Sequence, residues 1–213
     1  IDVETTADGE VAGTAGATLA GTIVDSDTIA AITGNAAVTA PTVDLLASTT
    51  RTLVTTAKST PGGAEDEGQT DNPSQQALED NDAQTSDGDL TIAAAVSVSH
   101  VQGNTNAFVD SAAATAVTAT TVLNVSASST DAASAIANAT GTGSPGLAIA
   151  AAINHVDLFD NAWLGGANLT VQATTVNVTA TMDADNTFQA EATSGAGSED
   201  GLAIAGALAI NAV

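Results

Sequence analysis

Leu147-Ala-Ile-Ala-Ala-Ala-Ile-Asn-His-Val156 has kin on both sides of it in the same chain. Upstream stands Leu90-Thr-Ile-Ala-Ala-Ala-Val-Ser-Val-Ser-His-Val101, and downstream Leu202-Ala-Ile-Ala-Gly-Ala-Leu-Ala-Ile-Asn-Ala-Val213; the three starts are 57 and 55 residues apart. A second block follows at a constant offset. Asn106-Ala-Phe-Val109 matches Asn161-Ala-Trp-Leu164, and each runs on through Thr118-Ala-Thr-Thr-Val122 or Gln172-Ala-Thr-Thr-Val176 to Val125-Ser-Ala127 or Val178-Thr-Ala180. These ordered matches take in the scarce aromatics Phe108 and Trp163 and both histidines, His100 and His155. They mark an internal repeat of about 55 residues. The N-terminal part carries a fainter copy, with Ala31-Ile32 in place of the Ala-aromatic pair and Pro41-Thr-Val43 at the Thr-Thr-Val step. Ile1-Asp-Val3 resembles Val176-Asn-Val178.

Within the repeat the local period is two. Leu169-Thr-Val171, Thr175-Val-Asn-Val-Thr-Ala180 and Val125-Ser-Ala127 alternate apolar with polar, the pattern of strands with one buried face. The Ala-rich runs could propagate as helix. However, Gly146 and Gly201 stand directly before them, with no capping residue and no helical apolar stripe, so strand is expected there too. Gly141-Thr-Gly-Ser-Pro145, Gly165-Gly166 and Ser194-Gly-Ala-Gly197 supply turns.

The expected fold is all-β: a repeat-built β-solenoid of the parallel β-helix kind, whose coils stack about 4.8 Å apart. At two or three coils per repeat, each unit would add about 10–15 Å to a rod. The alternative is a β-sandwich or pilin-like domain completed by strand donation. The repeats divide the chain into 1–57 (a degenerate first repeat), 58–89 (an acidic loop insertion), 90–145 (a second repeat), 146–200 (a third) and 201–213 (the start of another). Lys58 to Asp89 holds nine of the 25 acidic residues with Pro and Gly among them, and removing about 27 residues there restores the later 53-residue spacing. The chain opens on Ile1 and closes in mid-pattern, as expected of a mature or internal segment of a longer array.

Composition narrows the function. Aromatics are 2% of a chain that is 44% hydrophobic, so the apolar content is Ala, Val, Ile and Leu, suited to thin stacked layers. Arg51 and Lys58 are the only basic residues against 25 acidic ones, a formal charge of −23. Without a cationic surface, nucleic acid is excluded as a partner, and so is anionic lipid. The apolar runs Leu147–Ile153 and Leu202–Ile210 fall short of the roughly 20 residues that cross a membrane. The absence of cysteine removes disulfides, thiolate metal sites and cysteine nucleophiles.

The supply of catalytic groups is equally thin. His100 and His155 hold equivalent repeat positions, which on the expected rise would set them too far apart to share a metal ion. Neither accompanies a Gly-x-Ser-x-Gly nucleophile motif, and no Gly-Lys-Ser/Thr phosphate loop occurs. An enzyme acting on acidic polysaccharide would need more than Arg51 and Lys58 to hold its substrate. No catalytic residue, no cofactor and no enzymatic activity are therefore expected. Calcium is the one ion with candidate ligands, at Asp80-Asn-Asp82, Asp87-Gly-Asp89 and Asp183-Ala-Asp185, although neither the EF-hand spacing nor the calcium nonapeptide is present. Thr118-Ala-Thr120 and Thr179-Ala-Thr181 have the Thr-x-Thr form of an ice-binding ladder. Asn124, Asn138, Asn168 and Asn177 fit the N-glycosylation pattern.

Gly201-Leu-Ala-Ile-Ala-Gly-Ala-Leu-Ala-Ile-Asn-Ala-Val213, Asn161-Ala-Trp-Leu-Gly-Gly-Ala167 and Val176-Asn-Val-Thr-Ala180 resemble the repeat regions of large bacterial surface proteins, the filamentous-haemagglutinin-like and autotransporter-like adhesins. The resemblance covers 90–213 well and 1–57 weakly. It implies a secreted β-helical stalk that holds a binding end away from the cell. The expected function is thus structural: a segment of an adhesin stalk, extracellular filament or biofilm matrix, self-associating end to end, with divalent cations as further partners. The alternative is a calcium- or ice-binding β-solenoid module. Leu90, Leu147, Leu202, Phe108, Trp163, Val125 and Val178 are the repeat-defining structural positions.

Overall fold

A computed structural model describes residues 1–11, 15–61, 91–110, 113–141, 146–197 and 202–213. Its elements are all strands: β1 (Asp2–Val11), β2 (Ala15–Asp25), β3 (Thr28–Ile32), β4 (Ala37–Pro61), β5 (Thr91–Asp110), β6 (Thr115–Gly141), β7 (Gly146–Gly165), β8 (Leu169–Gln172), β9 (Thr175–Met182), β10 (Thr187–Ala196) and β11 (Ala203–Ala212). They form two sheets, and the chain passes from one to the other and back. Sheet A runs β1-β4-β6-β10, with β8, β9 and β10 end to end along β6; sheet B runs β2-β5-β7-β11, with β3 continuing the line of β2. Every described pair is parallel. The antiparallel hairpins of the sandwich alternative are therefore not the pairing used here. The Ala-rich runs are strands in β5, β7 and β11.

The register makes one repeat equal to one layer. His100 sits beside His155, Asn106 beside Asn161 and Phe108 beside Trp163 on neighbouring strands. This corrects the expected two or three coils per repeat. Strands of 25 and 27 residues in β4 and β6 use up about half a repeat each, so one passage through both sheets completes it. The rise per repeat is then one strand spacing, about 4.8 Å, rather than 10–15 Å.

Several alignments read from the sequence also shift. Leu147 pairs with Ile92 and Ile204, not with Leu202, and Leu90 lies outside the described residues. A two-residue slip keeps every side chain on its own face, so alternation could not detect it. Ala30-Ala31, not Ala31-Ile32, stands beside Ala107-Phe108. Ile1 lies one step before the Asp2–Thr52 pair, far from the position of Val176. Between Ala119 and Val122, β6 carries one more residue than either neighbour, so Leu123, not Val122, pairs with Val43 and Val176. Pro41, which has no N–H to donate, sits at that irregularity on β4. The offset across β4 and β6 is 80 residues at Asp44–Asn124, and across β6 and β9 it is 53 at Asn124–Asn177. Of the difference of 27 residues, 25 lie between β4 and β5, where the offset falls from 80 at Ser59–Ala139 to 55 at Ile92–Leu147; β4 continues through Lys58 to Pro61 and residues 62–90 lie outside the description.

Between the sheets, inward side chains alternate with outward ones along β5 and β6. One end of the interior is filled by alanine: Ala57, Ala93, Ala95, Ala135, Ala137 and Ala150 belong to one cluster. The other end holds larger groups, with Val117, Leu123 and Val125 packed against Val109. A smaller cluster of Leu53, Val101, Ala133 and Val156 lies between them. Polar side chains inside bind the sheets across the gap. Ser97 Oγ donates to the Thr55 carbonyl at 2.7 Å, and Asn154 Nδ2 donates to the Ala133 carbonyl at 3.1 Å and to Asn211 Oδ1 at 2.9 Å. Asn211 Nδ2 in turn donates to the Phe188 carbonyl at 3.0 Å, carrying the tie into the end layer.

Candidate functional site

The interior chemistry centres on Arg51, which the inward frame of β4 (Thr49, Arg51, Leu53, Thr55) carries between the sheets. Its Nη1 donates to Asp131 Oδ1 at 3.0 Å on the neighbouring strand, and both side chains are 1% exposed. Nε donates to Ser26 Oγ at 2.7 Å and Nη2 to the Ser26 carbonyl at 3.0 Å, so three of the five guanidinium N–H groups have named acceptors. Gly103 makes room for this group: a Cβ there would come 2.3 Å from the Ser26 carbonyl and 2.8 Å from Arg51 Nη2. Beside the ion pair, Thr105 Oγ1 donates to Thr49 Oγ1 at 3.3 Å, Thr49 donates to Thr28 Oγ1 at 2.6 Å, and Ser129 Oγ donates to Asp160 Oδ2 at 2.9 Å. This belt is a structural tie. Arg51 and Asp131 are buried within it, and the guanidinium is engaged through Nε, Nη1 and Nη2 by the protein itself.

On the outer faces the repeat forms ladders. His100 and His155 stack with ring centroids 4.8 Å apart, and their Nδ1 atoms lie at hydrogen-bond distance, 2.8 Å. Phe108 and Trp163 stack at 4.2 Å with planes 9° apart. Asn161 Nδ2 donates to Asn106 Oδ1 at 3.0 Å, Asn177 to Asn124 at 2.8 Å, and Asn124 to Asp44 Oδ1 at 2.6 Å. The two histidines are thus neighbours, which overturns the separation expected of them. Even so, no group of three or more His, Cys, Asp or Glu among the described residues is placed to hold a metal ion. Asp183 instead shapes a turn, its Oδ1 accepting from the Asp185 amide at 3.0 Å and its Oδ2 from Thr130 Oγ1 at 3.3 Å. The other two acidic clusters, Asp80 to Asp82 and Asp87 to Asp89, lie outside the described residues. Thr118 pairs with Gln172, while Thr179 and Thr181 pair with Ser126 and Ser128, so the Thr-x-Thr segments stand on different columns.

Asp27 accepts from Asn104 twice, from the side-chain Nδ2 at 2.9 Å and from the backbone N–H at 3.0 Å. These bonds, the side-chain one first, hold its carboxyl below the ordinary value. A lowered folded pKa contributes stability that is fully present above the unfolded value, near 3.9, and is lost as pH falls through the folded one. Asp27→Asn is therefore expected to melt below the natural chain at neutral pH. The gap should close below the usual carboxylate range, as read by thermal melts across a pH series.

The end layers are the surfaces the fold leaves incomplete. Among the described residues, nothing pairs with the outer edges of β1, β2, β10 or β11. Val125 is buried at 0% exposure one layer in, whereas Val178, its partner on β9, is 44% exposed although it occupies the same inward column. Val176 stands in the same relation to Leu123. Of the repeat-defining positions, Val125 is therefore core and Val178 is end-layer. Leu147, Phe108 and Trp163 point outward on sheet B, and Leu202 is exposed beside β11. What the sequence missed is Arg51 as an interior group. The signal was its place in the alternating frame of β4. No family model, curated protein or solved structure matches the chain.

Proposed function

We propose that the two parallel sheets are the walls of a β-solenoid with one repeat per coil. The chain is then a structural segment of an extracellular adhesin stalk or filament that self-associates end to end and performs no catalysis. The observation that carries this is the open end layer: an apolar column, buried one strand earlier, and an unpaired strand edge face the same way. A further layer with the same alternation completes both the backbone ladder and the column, and a second copy of the chain supplies one. The placement outside the cell rests on the resemblance to adhesin repeats. The acidic surface keeps the segment soluble and opposes association at low ionic strength.

Val178→Lys places a charge in the column that the next layer would bury. Sedimentation velocity in rising salt should show the natural chain growing into longer species while Val178→Lys stays short. Equal growth of the two proteins, or none by either, would overturn end-to-end assembly.

A further inference from the structure

The outer face of sheet B carries a second apolar surface, which faces away from the interior rather than along the open strand edges. The registers align residues 15–23 of β2, 92–100 of β5, 147–155 of β7 and 204–212 of β11 side by side. Their alternate, outward members form a block of four strands by five positions with no Asp, Glu, Lys or Arg in it, in a chain of net charge −23. The larger aliphatic groups of these runs point out, and the inward positions carry only Ala, Gly, Ser, Thr or Asn. Ala148, Ala150 and Ala152 are buried, whereas Ile149 is 51% exposed, Leu208 55% and Leu19 70%.

Two glycines sharpen the point. Gly21 and Gly206 stand outward within the block, and a Cβ built on either meets nothing within 4 Å. Neither has a positive φ. Glycine inside a strand costs stability, and here the chain's own fold supplies no steric reason for it; close approach of another surface does. (Gly195 also has open space above it, but it lies one residue from the end of β10.)

We infer that this face pairs with the same face of a second copy, sheet on sheet, with Leu19, Ile149 and Leu208 of one copy entering the gaps over Gly21 and Gly206 of the other. Four strands at about 4.8 Å and nine residues at about 3.3 Å give a patch of about 600 Å². A symmetric pair then buries about 1,200 Å², the lower bound of stable interfaces. Self-pairing also brings two uncharged blocks together and leaves the acidic residues at the rim. An anionic membrane would meet the net negative charge instead.

The test uses the 213-residue chain carrying Val178→Lys, so that end-to-end growth is suppressed and the two modes are read apart. Sedimentation velocity over a concentration series should give a dimer. Adding Leu19→Glu and Ile149→Glu should raise its dissociation constant at least 100-fold. Gly206→Leu, which fills the gap without adding charge, should weaken pairing in the same direction while the circular-dichroism spectrum stays that of the parent. A monomer at every concentration overturns the inference, as does a dimer indifferent to all three substitutions. So does binding of phosphatidylcholine vesicles that Leu19→Glu abolishes with no change in oligomeric state.

Discussion

Arg51→Met is expected to destabilise the fold by about 3–5 kcal/mol, because it leaves the Asp131 carboxylate buried without its cation. The loss extends past the ion pair. Ser26, which is partly buried, loses the donors to its hydroxyl and carbonyl. Asp131 Oδ2 already lacks a hydrogen-bond partner, so the carboxylate depends heavily on the one bond from Nη1 at 3.0 Å. The double variant Arg51→Met with Asp131→Leu should recover most of the loss, since replacing both members of a buried pair by apolar groups is commonly neutral or stabilising. Urea midpoints of the two singles and the double complete a cycle that isolates the pair. A single variant as stable as the natural chain would mean that Arg51 reaches water.

Leu123→Ala is the second large effect, at about 2–5 kcal/mol. Leu123 is 0% exposed, held between Val43 and Val176 in its own sheet and packed in the cluster that includes Val109. Strands hydrogen-bonded on both sides cannot collapse into the space that the truncation leaves. The same chemistry one layer out is the control. Val176→Ala in the isolated chain should cost no more than about 0.5 kcal/mol, because that side chain is 43% exposed in the end layer. In assembled material Val176→Ala should cost more, and this dependence on assembly is what separates an end layer from ordinary surface.

The strands were legible in the sequence because alternation is a local signal. Val125-Ser-Ala127 and Thr175 to Ala180 declare one buried face whatever lies beside them. Where a strand ends is not local. Strands of 5–6 residues are usual, and nothing in the period-two pattern of β6 announces 27. From that came the overcounted coils and the separated histidines. The rare residues gave the true register: His100 with His155, Asn106 with Asn161 and Phe108 with Trp163, all at 55. The Leu-Ala-Ile-Ala runs, apolar on both faces, slipped by two. They also conceal which face is inside. In these runs of β5, β7 and β11 the large aliphatic groups turn outward, because alanines line the inner wall there. Arg51 was legible only through its frame, since composition alone marks a lone arginine in an acidic chain as a surface cation.

End-to-end stacking is read directly by electron cryo-microscopy of the natural chain concentrated at moderate salt. End-to-end stacking of one-repeat layers predicts thin rods with strands perpendicular to the axis and a layer spacing of about 4.8 Å. Each sheet is four layers at its deepest, along β1-β4-β6-β10 and β2-β5-β7-β11, so the subunit rise should be about 19 Å. Separate particles of single-chain or paired size at every concentration and salt, or rods whose strands run along the axis, would contradict it.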